Sequence, residues 1–240
     1  MRASLVVGVL LLSLPRFAFA QIDLAWDECG EAGVRDKMFT CDDNSTLHVL
    51  VPSFVLADSL PEFVGTTAQI IIAGNFSGFP AWWEFDAGAC RSGMVSTVST
   101  GQIGLTECDD PFEGTITTSY VNYFPDRMGR PNRRLMFADH IVVPGIGGTL
   151  IPGRKYAAGA VQIRSNRTVG TSGVCSGCIE PICLTLVEVQ VFSFGSGPSP
   201  VLTGSSSVTW QGGLIDDPTS ECAPVGNRRQ TWGAVKSLYR

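Results

Sequence analysis

Alternating apolar and polar residues dominate this chain. The longest alternating run lies within residues 174–194, where apolar side chains recur at nearly every second position after three closely spaced cysteines. A period of two is that of a β-strand with one buried face, and stretches that are apolar at both parities indicate burial of both faces. The run therefore predicts the central strand of a sheet, with cross-links at its start.

Shorter runs with the same period predict the rest of the fold. The cleanest is residues 21–28, where Ile22, Leu24 and Trp26 share one face. In the run at residues 46–57, Pro52 predicts a sheet edge or a bend, since proline cannot donate a hydrogen bond to a strand ladder. The remaining predicted strands are 46–57, 68–73, 94–100, 115–124, 134–143, 156–165 and 208–211. With glycine and proline between them, these segments predict an all-β fold, an antiparallel, jelly-roll-like two-sheet sandwich.

Helical periodicity is confined to the last ten residues. Thr231 is a suitable N-cap, and Trp232, Val235 and Tyr239 fall on one helical face. So short a helix is marginal in isolation, so it has to pack on its own sandwich or on another molecule. Trp232 and Tyr239 are therefore candidate partner-binding residues.

The first twenty residues have the organisation of a secretory signal peptide. Arg2 precedes a short apolar run, and residues 18–20 read Ala-Phe-Ala, a pattern that signal peptidase cleaves. The run has about ten residues, whereas a membrane-spanning helix needs about 20. We therefore expect a secreted protein without a membrane span, comprising a signal peptide (1–20), one β-sandwich domain (21–225) and a C-terminal tail (226–240).

Charge argues against nucleic-acid binding. The formal net charge is −5 at pH 7, and removal of Arg2 and Arg16 with the signal peptide makes the chain more acidic. Nucleic-acid binding requires clustered lysine and arginine. The densest basic segment, residues 127–134, is interrupted by glycine and proline, as is typical of a solvated loop.

Eight cysteines follow the predicted cleavage site, and an even number in an exported chain predicts disulfide bonds. Proximity in sequence favours two local bonds, with the three-cysteine cluster sharing the last cysteine. A zinc site in that cluster is the alternative, because C-x2-C is a common zinc-ligand spacing. The local bonds would be Cys29–Cys41 and Cys90–Cys108, and the cluster is Cys175, Cys178 and Cys183 with Cys222.

Residues that could support catalysis are few. The chain has two histidines, His48 and His140, and Asp139 precedes the second on what should be the opposite strand face. No hydrolase or metalloprotease motif is present. The sequence therefore predicts no enzyme, no catalytic residue and no cofactor. The one cofactor that an acidic turn could bind is calcium. The acidic clusters are Asp42–Asp43, Glu107–Glu113 and Asp216–Asp217.

Two aromatic features are candidate partner-binding elements. On a strand, one of Trp82 and Trp83 would face outward, where it could stack on a sugar ring, unless a loop covers it. The first strand, with Ile22, Leu24 and Trp26, could pair within its own sheet or be donated to a neighbouring subunit.

Five motifs resemble a group of exported proteins inferred from environmental bacterial genomes. These are W-D-E-C-G, P-A-W-W-E-F, V-C-S-G-C-I-E-P-I-C, V-T-W-Q-G-G and the ending T-W-G-A-V-K-S-L-Y-R. The resemblance covers nearly the whole predicted mature chain, and the ending is its most specific part. It implies an exported bacterial protein and transfers no catalytic residue.

These observations favour a non-enzymatic extracellular structural or interaction protein. Its expected partners are further copies of itself or another extracellular protein, and the expected assembly is a fibre or a surface layer formed by N-terminal strand addition. The alternative is a carbohydrate-binding module that uses Trp82 or Trp83.

Overall fold

The computed structural model describes residues 21–74, 77–98, 100–115, 118–125, 129–145, 147–195 and 197–212. The predicted signal peptide and the C-terminal tail, with Trp232 and Tyr239, lie outside the described residues, as do Cys222 and Asp216–Asp217.

Two β-sheets packed face to face form the protein, which confirms the all-β sandwich. The strands are β1 Gln21–Trp26, β2 Asp36–Lys37, β3 Leu47–Val55, β4 Phe63–Gly74, β5 Val95–Val98, β6 Thr118–Pro125, β7 Arg133–Ile141, β8 Lys155–Ala157, β9 Ala160–Arg164, β10 Ile182–Ser193 and β11 Val201–Trp210. The first sheet runs in the order β1–β3–β9–β5, with β8 also paired to β3, and the second runs β2–β11–β10–β4–β7–β6. All pairs are antiparallel except β2 with β11.

Helical structure in the described residues is limited to single turns. Two 3₁₀ turns span Gly30–Ala32 and Ala81–Trp83, and one short α-helix, α1, spans Thr100–Ile103. No helix in this part of the chain has the length and apolar character needed to cross a membrane.

The strand predicted to be central is central. β10 lies between β11 and β4 in the larger sheet, and its inward side chains include Leu184, Leu186, Val189 and Val191, all fully buried. The register shifts between Leu186 and Glu188, which explains why the alternation in the sequence skips one residue there. The shift keeps both halves of the strand facing the core.

Pro52 lies inside its sheet and not at an edge. β3 pairs with β1 on one side, and on the other side it pairs with β9 through residues 47–50 and with β8 through residues 53–55. The Pro52 carbonyl accepts a hydrogen bond from Ala158 N at 2.8 Å, at the break between β8 and β9. The missing proline N–H therefore falls where the neighbouring strand is interrupted, and no ladder bond is lost.

Candidate functional site

The first strand belongs to its own sheet. β1 pairs with β3 over its full length, from Gln21 opposite Val55 to Trp26 opposite Leu50. Its apolar side chains point between the two sheets, and Ile22, Leu24 and Trp26 are all buried. These three residues form part of the core, so the structure does not present them to another molecule.

The outer edge of β1 is also covered. Leu24 N donates to Ser206 Oγ at 2.9 Å, and Arg35 Nη1 donates to the Leu24 carbonyl. Further along, Trp26 N donates to Val34 O at 2.9 Å and Val34 N donates to Trp26 O at 3.0 Å. An incoming strand would have to displace these bonds, which is how native proteins protect an edge.

Trp82 and Trp83 are both fully buried, contrary to the expectation that one of them faces outward. They lie on a 3₁₀ turn and not on a strand, and Trp83 N closes that turn with a 2.9 Å hydrogen bond to Pro80 O. Consecutive residues on such a turn do not point to opposite faces, so both rings can enter the core. Neither ring is available to stack on a sugar.

The two tryptophans belong to an aromatic cluster between the sheets. The Trp82 ring lies 4.8 Å from that of Trp210, and Trp210 stacks on Phe39 with ring centroids 3.7 Å apart. Trp82 Nε1 donates to Thr168 Oγ1 at 2.8 Å, which satisfies its polar atom. Such packing stabilises the sandwich and leaves none of these three tryptophan rings exposed.

A buried arginine completes the cluster. The Arg91 guanidinium carbon lies 3.5 Å from the centre of the Trp82 ring, and Nη1 donates to the Trp82 carbonyl at 2.9 Å. Burial lowers the pKa of Arg91 to about 9. Its Nε and Nη2 atoms have no hydrogen-bond partner in the part of the chain that the structure describes. We interpret Arg91 as a packing residue that contacts Trp82 through a cation–π interaction.

Three disulfide bonds between described cysteines connect distant parts of the chain, and the two local bonds predicted from proximity are wrong. The bonds are Cys29–Cys108, Cys41–Cys178 and Cys90–Cys175, and Cys183 is disulfide-bonded as well. β2 crosses to the larger sheet, which carries Cys41 away from Cys29, and β5 separates Cys90 from Cys108. Zinc binding by the cysteine cluster is also wrong, because Cys175 and Cys178 are in disulfides and cannot supply thiolates.

The disulfide bonds indicate an oxidising environment. Disulfides persist in oxidising compartments and are rare where thioredoxin and glutathione keep thiols reduced.

Two of the bonds, Cys41–Cys178 and Cys90–Cys175, join the segment before β10 to loops that border the aromatic cluster. The core of the sandwich is therefore covalently fastened at the start of its central strand.

Neither histidine has the setting of a catalytic base. His48 lies in the core with Nε2 2.9 Å from Ser165 Oγ, and both side chains are buried. His140 points inward and is fully buried. Asp139 points to the other face and accepts a hydrogen bond from Thr67 Oγ1. Burial lowers the pKa of His48 and of His140 to about 4.

The acidic turns use their carboxylates to hold the backbone. Asp43 accepts hydrogen bonds from Ser45 N at 2.6 Å and Thr46 N at 2.7 Å, and bonds to Thr46 and Ser45 lower its pKa to about 2. Asp110 accepts from Phe112 N at 3.0 Å and Gly114 N at 2.8 Å. Within the described ranges no three histidine, cysteine or acidic side chains form a group that could hold a metal ion.

β6 is an edge strand whose outer backbone has no strand paired to it among the described residues. β6 is the last strand of the larger sheet and pairs on one side with β7 along all eight residues. On its other side no backbone hydrogen bond to a described residue is present. β5 of the smaller sheet approaches β6 without a backbone hydrogen bond, and near the start of β6 Thr97 Oγ1 of β5 donates to Ser119 Oγ at 2.7 Å.

The side chains of β6 divide between core and solvent. Val121 and Tyr123 pack against the core, and the Tyr123 hydroxyl donates to the Trp83 carbonyl. On the outer face, Tyr120 is 46% exposed and Phe124 is 41% exposed, with the polar Asn122 between them. β6 contains no charged residue. Charged residues and proline are the usual protection of an edge, and the proline of β6, Pro125, is its last residue, so residues 118–124 are chemically open to an added strand.

The sequence predicts a strand at 115–124 but no role for it. The available signal is a run of eight residues without charge, yet nothing local distinguishes an edge strand from an interior one. The distinction depends on whether another strand pairs with β6 on the side away from β7.

Comparison with known proteins identifies no relative. No protein-family model matches the chain, and no curated protein and no solved structure matches it significantly.

Proposed function

We propose that this is an exported, non-enzymatic structural or interaction protein that joins other molecules by strand addition at an open sheet edge. The observation that carries the proposal is the uncharged, unpaired outer edge of β6 within the described part of the chain. An open edge binds an extended strand through main-chain hydrogen bonds, and the exposed side chains select the partner.

Two features support a structural role. The disulfides hold the sandwich in one conformation, so little conformational entropy is lost when the edge binds. Export accords with the disulfides, which require an oxidising compartment.

The position of the binding element differs from the one favoured by the sequence. β1 is paired with β3, and its outer edge is covered by Arg35, Ser206 and Val34. Donating β1 to a neighbour would remove three buried side chains from the core. Carbohydrate binding through Trp82 or Trp83 finds no supporting observation, because both rings are buried.

Hydrogen exchange of the oxidised protein at low and high concentration tests this proposal, together with light scattering to measure mass. Assembly should raise the mass and slow the exchange of β6 amides, while β1 amides exchange equally slowly throughout. A protein that stays monomeric and whose β6 amides exchange at one rate at every concentration would contradict self-association.

A further inference from the structure

The outer edge of β6 is complementary to itself. We infer that β6 pairs antiparallel with β6 of a second copy about a two-fold axis at Asn122, which joins two six-stranded sheets into one continuous sheet. This inference rests on the proposed function and names its partner as a second copy of this chain.

Side-chain alternation restricts the register. Side chains opposite each other in an antiparallel pair must point to the same face, so a two-fold axis has to pass beside a residue and not between two residues. An axis at Asn122 places Tyr120 opposite Phe124 of the second copy, and Phe124 opposite Tyr120 of the second copy. On the core side the same axis places Val121 opposite Tyr123. Every large side chain of the edge then meets an aromatic or β-branched one, which are favourable cross-strand pairs.

The neighbouring register is poorer. An axis at Val121 would place Tyr120 opposite Asn122 and Phe124 opposite Thr118, so each exposed ring would face a small polar side chain. The aromatic pairs therefore favour the axis at Asn122. The Asn122 amides of the two copies would then face each other and could exchange a hydrogen bond.

Charge favours a second copy over an unrelated acidic or basic strand. The chain has a net charge of −5, so two copies repel each other at most surfaces. β6 has no charged residue, so two β6 strands can pair without this repulsion. Like charges directly opposite each other in a sheet are destabilising, and here there are none. A two-fold pairing also closes, because each copy contributes its one β6 edge and neither edge remains open.

The outer surface beside β6 extends the apolar contact. The Phe124 ring lies 6.1 Å from that of Phe137 on β7, and Ile141 of β7 is exposed opposite Thr118. Two such strips would lie side by side across the axis and enlarge the apolar surface around the paired strands.

Charge introduction within one chain tests both the partner and the register. Tyr120→Lys and Phe124→Glu are made singly and together in the full oxidised chain, and Thr203→Lys, at an exposed position of β11, is the matched control. Each single change should raise the dimer dissociation constant about tenfold, because it replaces both aromatic cross-strand pairs. The double variant should recover to within about threefold of wild type, since the introduced lysine of each copy would face the introduced glutamate of the other across the axis. Thr203→Lys should leave the constant unchanged.

Sedimentation velocity over a concentration series measures these constants, and thermal unfolding checks that each variant folds. If wild type and both single variants associate equally well, this inference is overturned while the proposed self-association stands. Single variants that dissociate without recovery in the double variant would overturn the axis at Asn122. A wild-type protein that remains monomeric at every concentration would overturn both the inference and self-association.

Discussion

The two buried histidines make the stability of the sandwich depend on pH. His48 and His140 are the only histidines of the chain, and burial lowers the pKa of each from 6.5 to about 4. Lowering the pH from about 7 to about 5 therefore leaves both imidazoles neutral in the folded protein, whereas both become protonated in the unfolded chain.

The sign and size follow from this difference in proton uptake. The unfolded chain binds protons below pH 6.5 and the folded protein does not until about pH 4, so the free energy of unfolding falls as the pH drops between these values. Between pH 7 and pH 5 the loss is about 2 kcal/mol for each histidine, or about 4 kcal/mol for both. Asp43, whose pKa is lowered from 3.8 to about 2, loses its contribution only as the pH falls through that lower range.

Urea unfolding at several pH values checks this prediction. His48→Gln and His140→Gln each remove one titrating group, so each should reduce the pH-dependent loss by about 2 kcal/mol, whatever the stability of the variant at neutral pH. Asp42→Asn, at an exposed position, is the control that should keep the wild-type pH dependence. Glutamine variants that lose as much stability as wild type between pH 7 and pH 5 would refute the reasoning.

Three further predictions concern packing and edge protection. Gly159→Ala should cost about 3 kcal/mol or more in urea unfolding, because its φ is +93° and a Cβ there would lie 2.1 Å from the His140 ring. Gly93→Ala, at φ +75° with open space around it, should cost about 1 kcal/mol and separates backbone strain from the clash. Arg91→Met should keep the unfolding free energy within about 1 kcal/mol of wild type, since it removes a buried charge and preserves much of the volume, whereas Arg91→Ala should lose about 3 kcal/mol. Arg35→Ala should uncover the edge of β1 and raise light scattering in concentrated solution, and unchanged scattering would show that Ser206 and Val34 suffice.

Some of the site could not be foreseen because its geometry is non-local. The residues around Trp82 and Trp83 are compatible with a strand in sequence, but Pro80 begins a 3₁₀ turn there and both rings enter the core. Cysteine pairing by proximity was wrong because the chain passes from the first sheet to the second between β1 and β2. Cys41, which follows β2, therefore bonds to Cys178. In each case the tertiary path of the chain outweighed the local pattern.

The sequence by itself determined the class of the fold and the course of its central strand. Period-two alternation is a local property, and burying one face of each strand admits little besides two packed sheets, so the sandwich and β10 could be derived from residue order. The tertiary structure alone decided which edges are open. β1 and β6 are both short strands, but Ser206, 182 residues further along the chain than Leu24, reaches the outer edge of β1, while no described backbone group reaches that of β6. Hydrogen bonds between strands join residues far apart in sequence, which is why the open edge becomes visible only once the chain is folded.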